Sequence, residues 1–102
     1  VDVRTRDGLK DLADAVRLRF DSAVVVLGAL VDGRPAMLAA ATQDLVDKGV
    51  HAGNIVKSMA TAAGGGGGGR PDMAQAGGRD ASKLDAAIEE GRKHAIAALT
   101  DS

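Results

Sequence analysis

Six consecutive glycines at positions 64–69, followed by Arg70, are the residues of this sequence with the clearest chemical potential. A glycine inside a helix costs roughly 1 kcal/mol relative to alanine, and glycines in a strand offer no side chain to pack, so the run predicts a bare loop. Without Cβ atoms, the backbone N–H groups of such a loop can approach an anionic or planar ligand closely. We therefore predict a phosphate-binding loop. A flexible linker is the alternative, because glycine runs usually have that role.

Basic side chains close to the glycines in sequence complete the predicted phosphate-binding patch. Arg70 and Arg79 bracket a short predicted strand, and Lys57 lies on the predicted helix that leads into the glycines. Arginine can bind phosphate through two parallel hydrogen bonds and lysine as a point charge, although a solvated surface charge is the alternative for each. The predicted RNA-binding residues are Gly64, Gly65, Gly66, Gly67, Gly68, Gly69, Arg70, Lys57 and Arg79.

Nucleotide hydrolysis is not predicted at this loop. A P-loop needs a strand, then glycines that end in Gly-Lys-Ser/Thr, then a helix whose N-terminus holds the phosphates. Here the glycines follow a predicted helix and precede a predicted strand, and Arg70 stands where the lysine and the hydroxyl would be required. The order of elements is reversed, and the spacing does not fit the dinucleotide-binding fingerprint either.

Metal binding and covalent catalysis also lack the residues they need. The sequence contains no cysteine, and its two histidines, His51 and His94, are far apart. A metal site needs several ligands that converge, so we interpret each histidine as a solvated helix residue. The paired acidic residues are interpreted as solvated faces and helix-end charges. We predict no catalytic residue and no metal ligand.

Composition limits the partners of the chain. The 102 residues suffice for one domain with an aliphatic core, since 45% are hydrophobic. A net charge of -1 gives no global field for nucleic acid, and a single phenylalanine disfavours base stacking, so RNA contact must be local and directed to shape and phosphates. No apolar run reaches the roughly 18 residues of a membrane span, and no signal peptide opens the sequence, so we expect a cytoplasmic protein without a membrane partner. Because the first residue is valine, we interpret the sequence as a piece of a longer chain.

The pattern of apolar residues predicts the elements that carry this patch. Val1-Asp2-Val3 alternates like the end of an edge strand, and an amphipathic helix begins near Asp7. The apolar runs at 23–31 and 37–41 predict two strands, and the Asp-Gly pair between them predicts a hairpin turn. A short helical turn at 44–49, a helix at 51–63, a strand at 73–76 and a final helix follow. Gly91 in the apolar stripe of the final helix predicts close approach of a neighbouring element.

The predicted fold is a single domain with the element order (β)αββαβα. We expect a small mixed β-sheet covered by helices, of the α/β or α+β class.

Two stretches, LVDKGVHAG at 45–53 and GGGGGGRPDMAQAGG at 64–78, closely resemble the C-terminal domain of bacterial alanyl-tRNA synthetases. In wider terms, the chain is similar to the DHH-associated domain, which those synthetases share with DHH phosphoesterases. The likeness extends from about Leu9 to Leu99. It implies that residues 1–102 are a single DHH-associated domain at the C-terminal end of a longer synthetase.

The resemblance implies a tRNA-binding role without catalysis. In the family, this domain helps to bind the outer corner of the L-shaped tRNA, so that alanine-specific tRNA is held for aminoacylation and editing. The class II synthetase motifs and the zinc-binding editing motif of the family are absent, so we expect these residues neither to activate alanine nor to hydrolyse mischarged tRNA. The parent protein is implied to be an alanine–tRNA ligase that uses ATP, magnesium and zinc. Its upstream domains are the implied protein partners.

Two alternatives remain open. In the first alternative, the domain is a protein-interaction or homodimerisation module. Leu18, on the otherwise polar side of the first helix, is a mild hint of such a contact. In the second, the chain is the substrate-binding domain of a DHH phosphoesterase. In that branch a histidine follows the glycines, whereas Arg70 occupies this place here. Arginine in place of this histidine weakens the inference of phosphoesterase chemistry for this chain. Glycines followed by a basic residue remain consistent with phosphate contact.

Overall fold

Four antiparallel strands form one sheet with helices on both faces in the structure, a computed structural model that describes residues 6–100. The strands follow the order β1-β2-β4-β3 across the sheet. The elements are α1 (Arg6–Arg19), β1 (Val24–Val31), β2 (Arg34–Ala41), α2 (Gln43–Asp47), α3 (Ala52–Ala62), β3 (Gly66–Gly69), β4 (Met73–Gly77), a 3₁₀ turn (Ala81–Lys83) and α4 (Leu84–Thr100).

The first two strands form the predicted hairpin. They pair from Val24–Ala41 at the open end to Val31–Arg34 at the turn. Asp32 and Gly33 between them have positive φ angles of 54° and 79°. A two-residue type I′ turn requires positive φ at both positions, and Asp-Gly is one of the sequences that favour it. The hairpin is therefore confirmed, with its second strand beginning at position 34 rather than 37.

Helix α1 covers the sheet where β1 and β2 lie. Leu9 and Ala13 of α1 are buried in one cluster with Val25, Ala36, Leu38 and Ala40 of these strands, and Met73 at the start of β4 completes that cluster. Side chains alternate between the two faces of a strand, so the residues two positions away from these lie on the same side of the sheet. We call it the α1 side.

Helices α3 and α4 cover the opposite face. Met59 and Val56 of α3 are buried with Ala74 and Ala76 of β4 and with Ala87 of α4. The predicted role of the glycine in the apolar stripe of α4 is confirmed. A Cβ atom at position 91 would lie 2.6 Å from the Sδ atom of Met59 and 2.8 Å from a methyl group of β1, so only glycine lets these elements approach so closely.

The glycine run begins with a helix end. Gly64 has a positive φ of 73° directly after the C-cap residue of α3, Ala63, and its N–H lies 3.3 Å from the Thr61 carbonyl. The next N–H, from Gly65, donates to the Ala60 carbonyl at 2.8 Å. This is the Schellman arrangement, in which a residue with positive φ, usually glycine, satisfies the last carbonyls of a helix.

The rest of the run is a strand, so the prediction of a bare loop is wrong for residues 66–69. Strand β3 pairs with β4 from Gly66–Gly77 to Gly69–Ala74. A Cβ atom on Gly53 of α3 would lie 2.6 Å from the Gly69 carbonyl oxygen, so the helix rests directly on this strand. Backbone pairing on one side and a helix above hold the glycines extended, whereas their propensity alone favours a loop.

The structure confirms an α+β fold and corrects its details. Every strand pairing within residues 6–100 is antiparallel, so the expectation of a mixed sheet is wrong. Strand β3 adds one element to the predicted order. The predicted strand at Val1-Asp2-Val3 lies outside the described residues. Asp80 precedes the last helical segment as predicted, where its carboxylate accepts the Ser82 N–H at 3.0 Å.

Candidate nucleic-acid interface

Strand β3 forms an edge of the sheet and has two different faces. Gly67 and Gly69 lie opposite Ala76 and Ala74, whose side chains are buried under α3. Because side chains alternate along a strand, positions 66 and 68 point to the α1 side. A Cβ atom at either of those positions would meet no atom within 4 Å. The strand is therefore packed on one face and open on the other.

We call the open side of the β3–β4 hairpin, formed by Gly66, Gly68, Gln75 and Gly77, the bare face. Gln75 pairs with Gly68, and Gly77 pairs with Gly66. Gln75 is half-buried, and its carboxamide has no hydrogen-bond partner among residues 8–100. At the glycine positions, a planar group or a ribose–phosphate strand can approach the peptide groups without displacing a side chain.

The outer edge of β3 is partly covered by α3. Arg70 donates its N–H to the Met73 carbonyl at 3.1 Å, which makes these two residues a hydrogen-bonded pair of the ladder. Bonded and non-bonded pairs alternate in an antiparallel ladder, so Gly67 and Gly69 direct their N–H and C=O groups away from β4. The Gly69 carbonyl lies against Gly53 of the helix. The glycines thus do not form the free cradle of N–H groups that a phosphate-binding loop would present.

Arg70 lies at one end of the bare face. It is opposite Met73, whose side chain packs on the α1 side, so the Arg70 side chain projects to the same side as the bare face. The side chain is 76% exposed, and its Nε atom lies 3.3 Å from a carboxylate oxygen of Asp72. An exposed ion pair of this kind contributes little stability, so the guanidinium remains available to a phosphate.

The turn that carries this arginine is fixed to the sheet and to two helices. The Asp72 carbonyl accepts the Ala41 N–H at 2.9 Å, and the Pro71 carbonyl accepts the Ala52 N–H at the start of α3 at 2.8 Å. Arg17 of α1 also donates to the Asp72 carbonyl, at 3.4 Å. The arginine therefore projects from a backbone that is held in place before any ligand arrives.

Lys57 lies beside the edge of β3 but not on the bare face. It is exposed on α3, four residues after Gly53, which contacts β3, and three before Ala60, which accepts the Gly65 N–H. Residues three and four apart share one side of a helix. The structure therefore places Lys57 on the helix flank next to β3, in the layer opposite to α1.

Arg79 lies at the far end of the hairpin. Its N–H donates to the Ala63 carbonyl at 3.1 Å, next to the end of α3. It lies six positions after Met73 and two beyond the end of β4, so it is at the opposite end of the hairpin from the turn that carries Arg70. A hydrogen bond from the Ser82 hydroxyl lowers the pKa of the neighbouring Asp80 carboxyl, so this carboxylate is anionic at neutral pH and offsets the charge of Arg79. The predicted residues do not converge on one point.

Sequence reasoning missed Arg34 and Gln75. Arg34 begins β2 two residues before Ala36, which is buried on the α1 side, so its side chain projects to the side of the bare face. It is exposed, and among the side chains of residues 8–100 it has no ion-pair partner. Alternation between Ala74, Gln75 and Ala76 is the signal that would have placed Gln75. No signal would have placed Arg34, because it depends on the pairing of β2 with β4.

Both histidines are half-buried, which corrects their interpretation as solvated helix residues. His51 caps α3, where its Nδ1 atom accepts the Asn54 N–H at 3.2 Å. His94 of α4 places Nδ1 at 3.0 Å from the Ser58 hydroxyl of α3. In the part of the chain that the structure describes, no three His, Cys, Asp or Glu side chains come together to hold a metal. These residues do not fit a zinc site.

An apolar surface lies at the opposite edge of the sheet. Val24 and Val26 of β1 border a groove of about 320 Å³ together with Ile96 and Leu99 of α4. Ile96 in this groove is 49% exposed. Leu18, which lies on α1 and not in the groove, is 89% exposed.

Among the described helices, none is long and apolar enough to cross a membrane.

Comparison with known families matches residues 2–95 to the DHHA1 domain. The chain belongs to the DHHA1 domain family. This DHHA1 domain is 57% identical over 82 residues to an alanine–tRNA ligase of Natranaerobius thermophilus and 52% identical over 87 residues to that of Acetivibrio thermocellus. The matches cover 80% and 85% of this chain but only 9% and 10% of the two relatives, so the chain spans about a tenth of their length.

A solved structure supports the same relationship. The crystal structure of the C-Ala domain from Aquifex aeolicus alanyl-tRNA synthetase matches this DHHA1 domain with a TM-score of 0.78 at 26% identity. The match covers 89% of this chain and 81% of that chain. The predicted resemblance to the C-terminal domain of bacterial alanyl-tRNA synthetases is confirmed.

Proposed function

We propose that this DHHA1 domain is the C-terminal tRNA-binding domain of an alanyl-tRNA synthetase and that its own role is not catalytic. It helps to hold alanine-specific tRNA while other parts of the synthetase aminoacylate and edit. The bare face beside Arg70 is the observation that supports this most. A surface of three glycines and one glutamine next to an exposed arginine fits a ribose–phosphate strand by shape and charge.

The proposal extends to the longer protein. Because the chain spans about a tenth of the related ligases, we assign alanine–tRNA ligase activity and its ATP, magnesium and zinc to other parts of that protein. Residues 1–102 act as one domain. The upstream domains of the same synthetase are its protein partners, and the cytoplasm is its location.

The charges of the domain favour weak and local binding. The net charge is -1, Arg70 lies next to Asp72, and Arg79 lies next to Asp80. Long-range attraction of RNA is therefore small, and the affinity depends on a few phosphate contacts that salt weakens.

The alternative roles stay predictions. If the domain is a protein-interaction or homodimerisation module, the groove between β1 and α4 is the candidate contact surface. Sedimentation of wild type and Ile96→Glu over a range of protein concentrations would show whether the chain self-associates through it. A phosphoesterase substrate-binding domain would require an upstream domain with clustered aspartates in the natural parent.

Titration with alanine-specific tRNA at several salt concentrations tests the proposed function. The variants are Arg70→Ala and Lys57→Ala, with Lys93→Ala on α4 as the matched lysine control, and a simple RNA duplex is the competitor. Each lost phosphate contact makes the slope of log affinity against log salt shallower by about 0.9 on duplex and about 0.7 on a single strand.

We expect saturable binding that prefers tRNA over the duplex. Arg70→Ala should weaken it and make its salt slope shallower, whereas Lys93→Ala should leave the slope unchanged. A smaller effect of Lys57→Ala is expected, because this side chain lies across the edge from the bare face. Absence of binding by wild type at low salt, or equal binding by wild type and Arg70→Ala, would overturn the proposal.

A further inference from the structure

The bare face continues into a shallow depression that ends at Arg34. The depression has a volume of about 550 Å³ and is bordered by Arg34, Ala36 and the backbone of Gly77 and Gly78. Ala36 and Gly77 pair across β2 and β4, so the floor of the depression is continuous with the hairpin. Ala36 faces the α1 side, and the depression therefore opens on the same side as the bare face.

Two arginines mark the ends of this continuous surface. Arg70 lies beside Met73 at one end of β4, and Arg34 lies two residues beyond the Ala36–Gly77 pair at the other. Six residues of strand, at about 3.3 Å each, place the two arginines about 20 Å apart. Between them the floor is mostly glycine backbone, so a strand of several nucleotides can lie across it.

Gln75 lies between the two arginines on the same side. Its carboxamide offers two N–H donors and an oxygen acceptor, and none of them is used among residues 8–100. A ribose 2′-hydroxyl is both donor and acceptor, and it is the group that distinguishes RNA from DNA. The carboxamide and the 2′-hydroxyl are therefore complementary.

We propose that the surface from Arg70 across the bare face to Arg34 binds one ribose–phosphate strand of RNA, with the arginines on phosphates and Gln75 on a 2′-hydroxyl. This rests on the proposed tRNA-binding function and extends it by two residues and by a preference for RNA over DNA. Asp32 also borders the depression, and its carboxylate repels the strand at the Arg34 end.

Charge variants at the depression test the arginine contact. The 102-residue chain is titrated with alanine-specific tRNA as wild type, Arg34→Ala and Asp32→Asn. Arg92→Ala is the control, because it removes the same charge from α4, where Arg92 pairs with Glu89 at 2.5 Å. We expect Arg34→Ala to weaken binding about five-fold and to make the salt slope shallower by about 0.7. Asp32→Asn keeps the turn, since Asn-Gly also favours type I′, and should strengthen binding.

Paired RNA and DNA probes test the Gln75 contact. Gln75→Ala and the nearly isosteric Gln75→Met are titrated with the tRNA and with DNA of the same sequence. Loss of one or two hydrogen bonds should weaken RNA binding about three- to ten-fold and leave DNA binding unchanged. Circular dichroism melting shows which variants are folded, and Arg34→Gln replaces Arg34→Ala if that variant unfolds.

The outcomes separate this inference from the proposed function. Weaker tRNA binding by Arg70→Ala supports the tRNA-binding role. If Arg34→Ala nevertheless binds like Arg92→Ala, and the Gln75 variants change RNA and DNA binding equally, the extended surface is wrong and only the tRNA-binding role stands. If wild type does not bind tRNA, both are overturned.

Discussion

Gly67 lies directly opposite Ala76 in the β3–β4 hairpin, and a Cβ atom on Gly67 would lie 2.6 Å from the Ala76 Cα atom. Its neighbours Gly66 and Gly68 would carry a Cβ into open space. Two kinds of glycine therefore alternate along one strand. Position 67 must be glycine because of packing. At position 68, only a ligand bound on the bare face would require glycine.

Alanine at these two positions should have opposite effects. Gly67→Ala forces Cβ into the Ala76 backbone, and such overpacking costs about 1–3 kcal/mol of unfolding free energy. Gly68→Ala meets nothing and restricts the unfolded chain, so the unfolding free energy should stay equal or rise by about 0.4–1 kcal/mol. Urea unfolding of wild type and both variants measures the difference.

The same pair separates stability from binding. Gly68→Ala should weaken tRNA binding in spite of its stability, because the added methyl group projects from the bare face. Gly49→Ala, at a position two residues after the end of α2 with φ of 108°, is a control that strains the backbone away from both the bare face and the depression at Arg34. If folded Gly68→Ala binds tRNA like wild type, RNA does not lie on this face.

Gly64→Ala should destabilise the domain through backbone conformation alone. A Cβ at this position meets nothing within 4 Å, but φ is 73°, and an L-residue there pays about 1–2 kcal/mol. Asparagine tolerates this conformation better, so Gly64→Asn should lose less unfolding free energy than Gly64→Ala in urea. Equal losses for the two variants would show that the end of α3 does not depend on the positive φ.

The sequence predicts most of the fold because its signals are local. Asp32-Gly33 defines a hairpin through its turn preference, and the apolar stripes of α1, α3 and α4 define their buried faces. The strand at residues 66–69 has no local signal. Four glycines become a strand because β4 presents its edge and α3 lies above, and such tertiary contacts override propensity.

The candidate site is predicted less completely for the same reason. Arg70 and the glycines are adjacent in sequence, so their proximity follows from the chain. Arg34 reaches the same side only through the pairing of Ala36 with Gly77, which joins residues 41 positions apart in sequence. Lys57 is near in sequence but lies in another layer, because α3 packs on the face of the sheet opposite to α1.

Acid titration should reveal a hydrogen-bond cluster that joins two connections of the fold. The Asp44 carboxylate accepts the Ser22 hydroxyl after α1 and the Thr42 hydroxyl after β2, the latter at 2.5 Å. The Ser22 hydroxyl, and next the Thr42 hydroxyl, lower the pKa of Asp44 below its ordinary value of 3.8. A group whose folded pKa is lowered stabilises the fold above its unfolded pKa, and this contribution is lost as pH falls through the folded pKa.

Ser22→Ala removes the largest cause of this shift, so the pKa of Asp44 should rise toward its ordinary value. Carbon-detected NMR of the side-chain carboxyls between pH 2 and pH 6, about two units on either side of the ordinary Asp range, measures it directly. The pKa of Asp80, which the Ser82 hydroxyl lowers, serves as the internal control and should not move in Ser22→Ala. The stability difference between wild type and Ser22→Ala should also shrink as the carboxylate is protonated, because the hydroxyl then faces a neutral acid. An unchanged Asp44 titration in the variant would mean that the Ser22 hydroxyl does not bind this carboxylate in solution.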